Sequence, residues 1–182
     1  MPADPVLAVL EALEFAAARH RDQRRKGRDA SPYINHLIRV TNLLAAAGAA
    51  GDAELLCAAA LHDTLEDTAT TAVELERRFG AGIRALVEEV TDDKRLPKAQ
   101  RKRLQVERAP RLTARARQLK IADKIANIED VASAPPTDWS LERRREYLAW
   151  AADVVAGCRG VNPVLEATFG RALADAERRL GC

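Results

Sequence analysis

A short acidic segment that follows an apolar run contains the residues best suited to chemistry. It reads His62-Asp63-Thr64-Leu65-Glu66-Asp67-Thr68 and comes directly after the run LLCAAAL. Burying an isolated charge is costly, so carboxylates at the end of a core helix need a cation, a hydrogen-bond network or water beside them. A divalent metal ion would meet this need. The alternative is a solvated loop in which His62 only caps a helix.

A helix predicted over Thr113 to Ala132 has two distinct faces. Two sets of side chains recur there at helical spacing, the apolar Ile121, Ile125 and Ile128 and the polar Asp123, Asn127 and Asp130. An ordinary solvated face would also explain Asp123. His36 lies just inside the second helix, which is predicted to begin near Ile34 and end at Gly48. It is equally ambiguous, because a lone histidine there is more often structural than a ligand.

The combination of His36, His62, Asp63 and Asp123 favours a metal site. Neutral imidazole nitrogens and carboxylate oxygens together suit a divalent ion and leave positions open for water and substrate. The pattern H, HD, D resembles that of the HD superfamily, whose members are mostly metal-dependent phosphohydrolases built on a helical bundle. The resemblance implies that these four residues are the metal ligands.

A closer resemblance, to RelA/SpoT-type hydrolases, extends from about Phe15 to Gly160. It rests on the segments Arg24-Arg25-Lys26, Ser31-Pro32-Tyr33-Ile34-Asn35-His36, Leu61 to Thr68, Val87 to Lys94 and Ala122 to Asn127. With the stretch RKRLQVE from Arg101 to Glu107, the chain is similar to the stand-alone small alarmone hydrolases of the metazoan SpoT homologue type.

The sequence departs from this family at Leu37, where a proline commonly follows the first metal histidine. Proline pre-sets the first turn of a helix, and its missing N–H is unpaired there anyway. We therefore expect leucine to leave His36 directed inward.

The resemblance implies a specific reaction. It is the hydrolysis of the 3′-pyrophosphate of guanosine tetra- or pentaphosphate, the alarmones of the stringent response, which releases pyrophosphate and GDP or GTP, usually with Mn²⁺. A divalent ion supplies a water of lowered pKa for such an attack. Glu66 and Asp67 follow Asp63 closely enough to move protons and orient water without being ligands themselves, so we predict catalytic roles for both.

Five residues are predicted to contact the substrate: Arg25, Lys26, Tyr33, Asn127 and Tyr147. Arg25 and Lys26 lie in a polar loop just before His36, where a fork of donors and a point charge could clamp a pyrophosphate. A solvated charge run is the alternative. Asn127 lies one helical turn beyond Asp123, so it can contact a ribose or phosphate held at the metal, as the resemblance implies.

The composition predicts an all-α fold. The chain is 47% hydrophobic but only 4% aromatic, so its core must consist mainly of small and aliphatic residues, which favours closely approaching helices. We predict a compact HD-domain helical bundle of roughly eight to ten helices, in a single domain over 1–182. The first helix, Pro5 to about Arg19, is expected to bury a stripe made of Val6, Leu10, Leu13 and Ala17.

Charge and cysteine content exclude several classes of protein. A net charge of +2 is too small for a general nucleic-acid binder. Cys57, Cys158 and Cys182 lack metal-type spacing and cannot all pair within one chain, which indicates a reducing compartment. No apolar stretch approaches the ~20 residues that span a bilayer. We predict a soluble cytoplasmic protein whose partner is a small molecule.

Two other functions fit the same residues. The metal site could act on another phosphorylated nucleotide, such as a deoxynucleoside monophosphate or a dinucleotide with a 2′-phosphate, because spacing does not identify the contacts that select guanine. Alternatively, the chain could be a silent alarmone sensor. The sensor is the weaker hypothesis, because it has no need for Glu66 and Asp67 in addition to four ligands.

Overall fold

The structure, a computed structural model, describes residues 4–181 and is all-α. Its ten α-helices are α1 (Pro5–Arg19), α2 (Ile34–Ala46), α3 (Ala53–Leu61), α4 (Thr64–Asp67), α5 (Ala72–Phe79), α6 (Ala81–Val90), α7 (Lys98–Arg108), α8 (Ala114–Ser133), α9 (Leu141–Cys158) and α10 (Pro163–Leu180). Short 3₁₀ helices cover Ala49–Gly51 and Ala109–Arg111. The predicted fold class and number of helices are confirmed. Within residues 4–181, no helix is both long and apolar enough to cross a membrane.

The chain divides into two compact units. The first comprises Met1–Gln23 and Pro32–Leu96 and holds α1 to α6, and the second comprises Arg24–Ser31 and Pro97–Cys182 and holds α7 to α10. The single domain over 1–182 stays a prediction.

The core of the first unit is α3, against which α1, α2 and α6 pack. Asp52 caps the start of this helix, and its carboxylate accepts a hydrogen bond from the backbone N–H of Leu55. Its residues 57–60, one cysteine and three alanines, are fully buried. Because these side chains are small, neighbouring helices can approach the backbone closely. The sequence predicts a core helix from Ala53 to about Asp63; its burial is confirmed, and the helix ends two residues earlier, at Leu61.

The buried face of α1 differs from the predicted one. Val6 and Leu10 are 67% and 57% exposed, whereas the buried residues are Ala8, Ala12, Phe15 and Ala16. The prediction chose the stripe with the largest aliphatic side chains. The structure instead turns the alanine face inward, since α1 packs directly on the alanine-rich α3, and Phe15 fills the remaining space with its ring edge-on to Phe79.

In the second unit, α8 packs against α9 and α10 and holds the polar stripe. Ile121, Ile125 and Ile128 are fully buried, as the periodicity predicted. The polar loop Arg24–Ser31 is held close to the end of α8, where Gly27 forms an isolated bridge with Pro136. A Cβ atom at Gly27 would lie 2.3 Å from the carbonyl oxygen of Ala134, so this approach requires glycine.

Candidate active site

Three predicted metal ligands lie together in the first unit. His36 on α2 and His62 at the end of α3 are both buried, and each offers a ring nitrogen within 4.8 Å of the other's. The carboxylate oxygen Oδ2 of Asp63 lies 3.2 Å from Nε2 of His62 and 3.8 Å from Nε2 of His36. Two imidazoles and one carboxylate therefore face a common point. The inward direction expected for His36 beside Leu37 is confirmed.

The protonation of His62 fits metal binding. Its Nδ1 lies 2.8 Å from the carbonyl oxygen of Ala59. A carbonyl oxygen can only accept, so Nδ1 carries a hydrogen, and in the neutral ring Nε2, which faces Asp63, has the free electron pair. A backbone carbonyl that fixes the histidine tautomer in this way is common around metal ligands. The donor set thus suits a divalent ion.

The fourth predicted ligand, Asp123, lies on α8 in the second unit. Its Oδ1 accepts a hydrogen bond of 2.6 Å from the side-chain amide of Asn127, and its Oδ2 lies 2.9 Å from the ammonium of Lys124. Lys124 is only 3% exposed, and its ammonium also lies 4.6 Å from the ring centre of Trp150. The burial of Lys124 was not predictable from the sequence, because Lys124 adjoins residues of a polar stripe.

Arg25 joins the same polar stripe from its loop. Its guanidinium donates to the carboxylate of Asp130 at 2.9 and 2.6 Å, and to the amide oxygen of Asn127 at 2.7 Å. Asp130 thus balances the charge of Arg25, a pairing that the sequence analysis did not identify. Because the amide oxygen of Asn127 accepts from Arg25, the amide nitrogen of Asn127 is directed at Asp123. The neighbouring Lys26 is exposed.

Glu66 and Asp67 have different environments in the first unit. One carboxylate oxygen of Glu66 accepts a hydrogen bond of 3.1 Å from the backbone N–H of Asp92. Burial raises the pKa of Glu66, and the nearby carboxylates of Asp92, Asp63 and Asp67 raise it further, against the opposing effect of that hydrogen bond. A carboxyl group with a raised pKa is suited to take up and release a proton near neutral pH.

Asp67 lies instead in a network of donors. Its carboxylate pairs with the ammonium of Lys94 and lies 3.4 Å from the hydroxyl of Tyr33 and 3.5 Å from the side-chain amide of Gln23. The hydroxyl of Tyr33 also lies 2.8 Å from Oδ2 of Asp63. Tyr33, predicted to contact substrate, is therefore directed at two acidic residues of the candidate site.

The second unit also contains a cationic cavity of about 280 Å³. It is lined by Lys98, Lys102, Trp139, Ser140, Glu142, Arg143, Glu146 and Tyr147. The guanidinium carbon of Arg143 lies 4.6 Å from the ring centre of Trp139, and the ammonium of Lys98 lies 5.8 Å from it. Of these residues, only Tyr147 was predicted from the sequence to contact the substrate. The other residues lie in different helices and a loop, so only the fold reveals the cavity.

Both cations and carboxylates line this cavity, three cations against Glu142 and Glu146. Burial lowers the pKa of Lys98 and of Lys102. Arg143 and Lys26 lower the pKa of Lys98 further, and Lys98 lowers that of Lys102, against the opposing effects of Asp138 and Glu146. Burial raises the pKa of Tyr147 to about 12, which keeps its hydroxyl neutral. Several cations held close together favour an anionic ligand, because such a ligand relieves their mutual repulsion.

Comparison with known proteins agrees with this geometry. The family model described as HD domain matches residues 12–162. The chain is 47% identical to a protein of Xenopus tropicalis named guanosine-3′,5′-bis(diphosphate) 3′-pyrophosphohydrolase MESH1, over 96% of this chain and 97% of that one. It is 52% identical to the protein of the same name from Homo sapiens, over 87% of this chain and 88% of that one.

A solved structure supports the same relationship. It is described as a metazoan ortholog of SpoT that hydrolyzes ppGpp and plays a role in starvation responses. The two structures superpose with a TM-score of 0.89 at 42% identity, over 92% of this chain and 94% of the other. The resemblance inferred from the motifs is confirmed, and the chain belongs to the HD-domain family and, within it, to the MESH1-type metazoan SpoT homologues.

Proposed function

We propose that the chain is a metal-dependent guanosine 3′,5′-bis(diphosphate) 3′-pyrophosphohydrolase, which converts the tetra- or pentaphosphate to GDP or GTP and pyrophosphate. The observation that carries this proposal is the 47% identity to a protein of that name along nearly the whole of both chains. The convergence of His36, His62 and Asp63 adds a chemical reason, because it supplies a donor set for a divalent ion.

We propose His36, His62, Asp63 and Asp123 as the ligands, with Mn²⁺ as the native ion. Nitrogen and carboxylate donors together accept manganese and several other divalent metals, and the family resemblance favours manganese. When bound, such an ion lowers the pKa of a coordinated water and offsets charge on phosphoryl oxygens. Asn127 and Lys124 hold the Asp123 carboxylate in place by direct contacts to its two oxygens.

Glu66 and Asp67 are the proposed proton-handling groups. Water attacks the phosphorus attached to the ribose 3′ oxygen and the bond between that phosphorus and the 3′ oxygen breaks. The attacked diphosphate becomes pyrophosphate, and the 3′ oxygen takes up a proton and leaves as the 3′ hydroxyl of GDP or GTP. Glu66, whose pKa is raised by burial, takes the proton lost by the attacking water. Asp67 orients the water with a carboxylate that Lys94 and Tyr33 hold in place.

Arg25, Lys26, Tyr33, Asn127 and Tyr147 are the proposed substrate contacts, and the cationic cavity extends this set. The substrate carries two diphosphates, so it needs a second group of cations besides those around the reacting phosphate. Lys98, Lys102 and Arg143 supply that second group. Trp139 offers an aromatic face to the same ligand.

The first experiment is a turnover assay with the manganese-loaded protein and guanosine tetraphosphate. We expect GDP and pyrophosphate, separated by ion-exchange chromatography, to form with metal and to disappear after chelation. Readdition of Mn²⁺ should restore the activity. Metal content is measured in parallel, so that inactivity caused by lost metal is recognised.

Competing substrates make this assay decisive. A deoxynucleoside monophosphate and a dinucleotide with a 2′-phosphate are tested under the same conditions. A higher kcat/KM on either one would overturn the assigned substrate. Binding of guanosine tetraphosphate without turnover by the metal-loaded protein would instead support a sensor.

Replacing Arg143 with alanine tests the cationic cavity. We expect KM for guanosine tetraphosphate to rise by about 10-fold or more with a small change in kcat, because a charge-assisted contact is worth about 1.5–3 kcal/mol. The effect should shrink at high salt, since the cavity is open to screening ions. Steady-state kinetics at two salt concentrations measure both changes.

Arg171→Ala is the matched control for this variant. Arg171 lies exposed on α10, where its guanidinium bonds only locally, to Thr168. The control removes the same charge from the protein outside the cavity lining. Equal KM values for the Arg143 and Arg171 variants would exclude the cavity as a substrate subsite.

We also propose a cytoplasmic protein with a small-molecule partner and no nucleic-acid ligand. Cys57 and Cys158 are buried free thiols, and burial raises the pKa of each to about 11. Unpaired thiols of this kind are typical of reducing compartments.

A further inference from the structure

His20, at the end of α1, is a buried ionisable residue to which the proposed mechanism gives no role. It is only 2% exposed. Its ring is stacked on that of Tyr33, with ring centres 4.9 Å apart and an angle of 19° between the planes. Its Nδ1 lies 2.6 Å from the side-chain oxygen of Gln23. His20 therefore contacts two residues that themselves contact Asp67.

The contacts of Gln23 define the direction of the hydrogen bonds. Its amide nitrogen Nε2 lies 3.5 Å from Oδ2 of Asp67, where it donates to the carboxylate. The amide oxygen then faces His20 and accepts, so Nδ1 of His20 carries the hydrogen. Nε2 of His20 is buried with no hydrogen-bond partner among residues 4–181.

The backbone ties the same residues together. The N–H of Gln23 donates to the carbonyl of His20 at 2.9 Å, and the N–H of Tyr33 donates to the carbonyl of Gln23 at 3.1 Å. These backbone hydrogen bonds hold His20, Gln23 and Tyr33 in fixed positions relative to one another. The side chain of Gln23 then contacts Asp67, and the hydroxyl of Tyr33 contacts both Asp63 and Asp67.

We propose that His20 is a positioning residue for hydrolysis, which fixes the Asp67 carboxylate through Gln23 and through the stacked ring of Tyr33. This inference rests on the proposed function, in which Asp67 orients the attacking water. The rate of hydrolysis is sensitive to small displacements in such a site, because a displacement of about 1 Å can lower the rate about 100-fold. A role that only stabilised the end of α1 would leave the rate per folded molecule unchanged.

Two substitutions separate the two contacts of His20. His20→Phe keeps a ring to stack on Tyr33 but removes the donor to Gln23. His20→Asn keeps a donor near the position of Nδ1 but removes the ring. We expect His20→Phe to lower kcat on guanosine tetraphosphate about 10-fold with KM unchanged, and His20→Asn to retain more activity than His20→Ala.

A double-mutant cycle tests the route through Gln23. Gln23→Leu should lower kcat as His20→Phe does, and the double variant should be no slower than the slower single variant, because both changes break one path. Additive losses would overturn this route. Wild-type kcat in His20→Phe, in protein with full metal content, would overturn the proposal as a whole.

Phe15→Leu is the control for stability. It reduces a buried contact on the same helix, against Phe79, and lies outside the proposed site. It should lower Tm and leave kcat unchanged below the melting transition. If its kcat falls with its Tm as far as that of His20→Phe, the effect of His20 is structural. If the wild-type protein does not hydrolyse guanosine tetraphosphate, the proposed function itself fails.

Discussion

Replacing Glu66 with glutamine is expected to lower kcat by about 10²- to 10⁴-fold, the usual contribution of a general acid or base. The amide has nearly the same shape, and its oxygen can still accept the hydrogen bond from the N–H of Asp92 that Glu66 accepts at 3.1 Å. It cannot take up a proton at neutral pH. The loss should therefore fall on kcat, while metal content stays at its wild-type level. Steady-state kinetics of the metal-loaded variant measure it.

The same substitution is expected to raise thermal stability at neutral pH. Burial raises the pKa of Glu66 in the folded protein above its ordinary value of 4.5. The stability that this group contributes is thus fully present below pH 4.5 and is lost as the pH rises through the folded-state pKa. Glutamine carries no charge, so the Tm difference in favour of the variant should grow as the pH rises over that interval. Melting curves of chelated protein at several pH values measure it.

Glu11→Gln provides the comparison for both measurements. Glu11 is exposed on α1, so its substitution should change neither kcat nor the pH dependence of Tm. Wild-type kcat in Glu66→Gln would exclude Glu66 from proton transfer. A Tm below that of wild type at neutral pH would show that other contacts of the carboxylate outweigh the cost of burying it.

Asp123→Ala is expected to abolish turnover and to destabilise the metal-free protein by about 3 kcal/mol, a typical loss when one partner of a buried ion pair is removed. The stability effect comes from Lys124, whose buried ammonium lies 2.9 Å from the Asp123 carboxylate. The ring of Trp150 remains beside the ammonium but carries no compensating charge. Urea denaturation of chelated protein measures the loss of stability, and the assay with guanosine tetraphosphate measures the loss of turnover.

The double variant with Asp123→Ala and Lys124→Met separates the two effects. Methionine removes the charge while keeping most of the apolar stem against Trp150. The double variant should recover most of the lost stability and remain inactive. If Asp123→Ala is as stable as the wild type in the absence of metal, Lys124 does not depend on that carboxylate.

Residues whose environment is local were predictable from the sequence. On α8, the spacing of Ile121, Ile125 and Ile128 predicted the buried face, because a helix repeats every few residues whatever surrounds it. The core position of α3 followed from a run of apolar residues with no polar side. The proposed metal ligands could be selected because histidine and aspartate in that pattern match a known family.

Contacts between distant parts of the sequence were not predictable. The pairing of Arg25 with Asp130 and the meeting of Lys98 with Trp139 each join residues far apart in the chain. The buried face of α1 was wrong for a related reason. Hydrophobicity alone predicts that Val6 and Leu10 are buried. The close approach to α3 instead requires alanine at the contact, and the sequence of α1 does not show which helix it packs against.

The alanine-rich sequence of α3 has a consequence for conformational entropy. Alanine has no side-chain rotamers to lose on burial, so ordering Ala58, Ala59 and Ala60 costs only the entropy of the backbone. The helix, which ends at Leu61 just before His62 and Asp63, is thus fixed at a lower entropic cost than a helix of leucines or methionines would be. Longer side chains rotate more as the temperature rises, but these three alanines have no rotamers between which to change. The two proposed metal ligands His62 and Asp63 therefore follow a segment whose order is limited by unfolding of the helix itself.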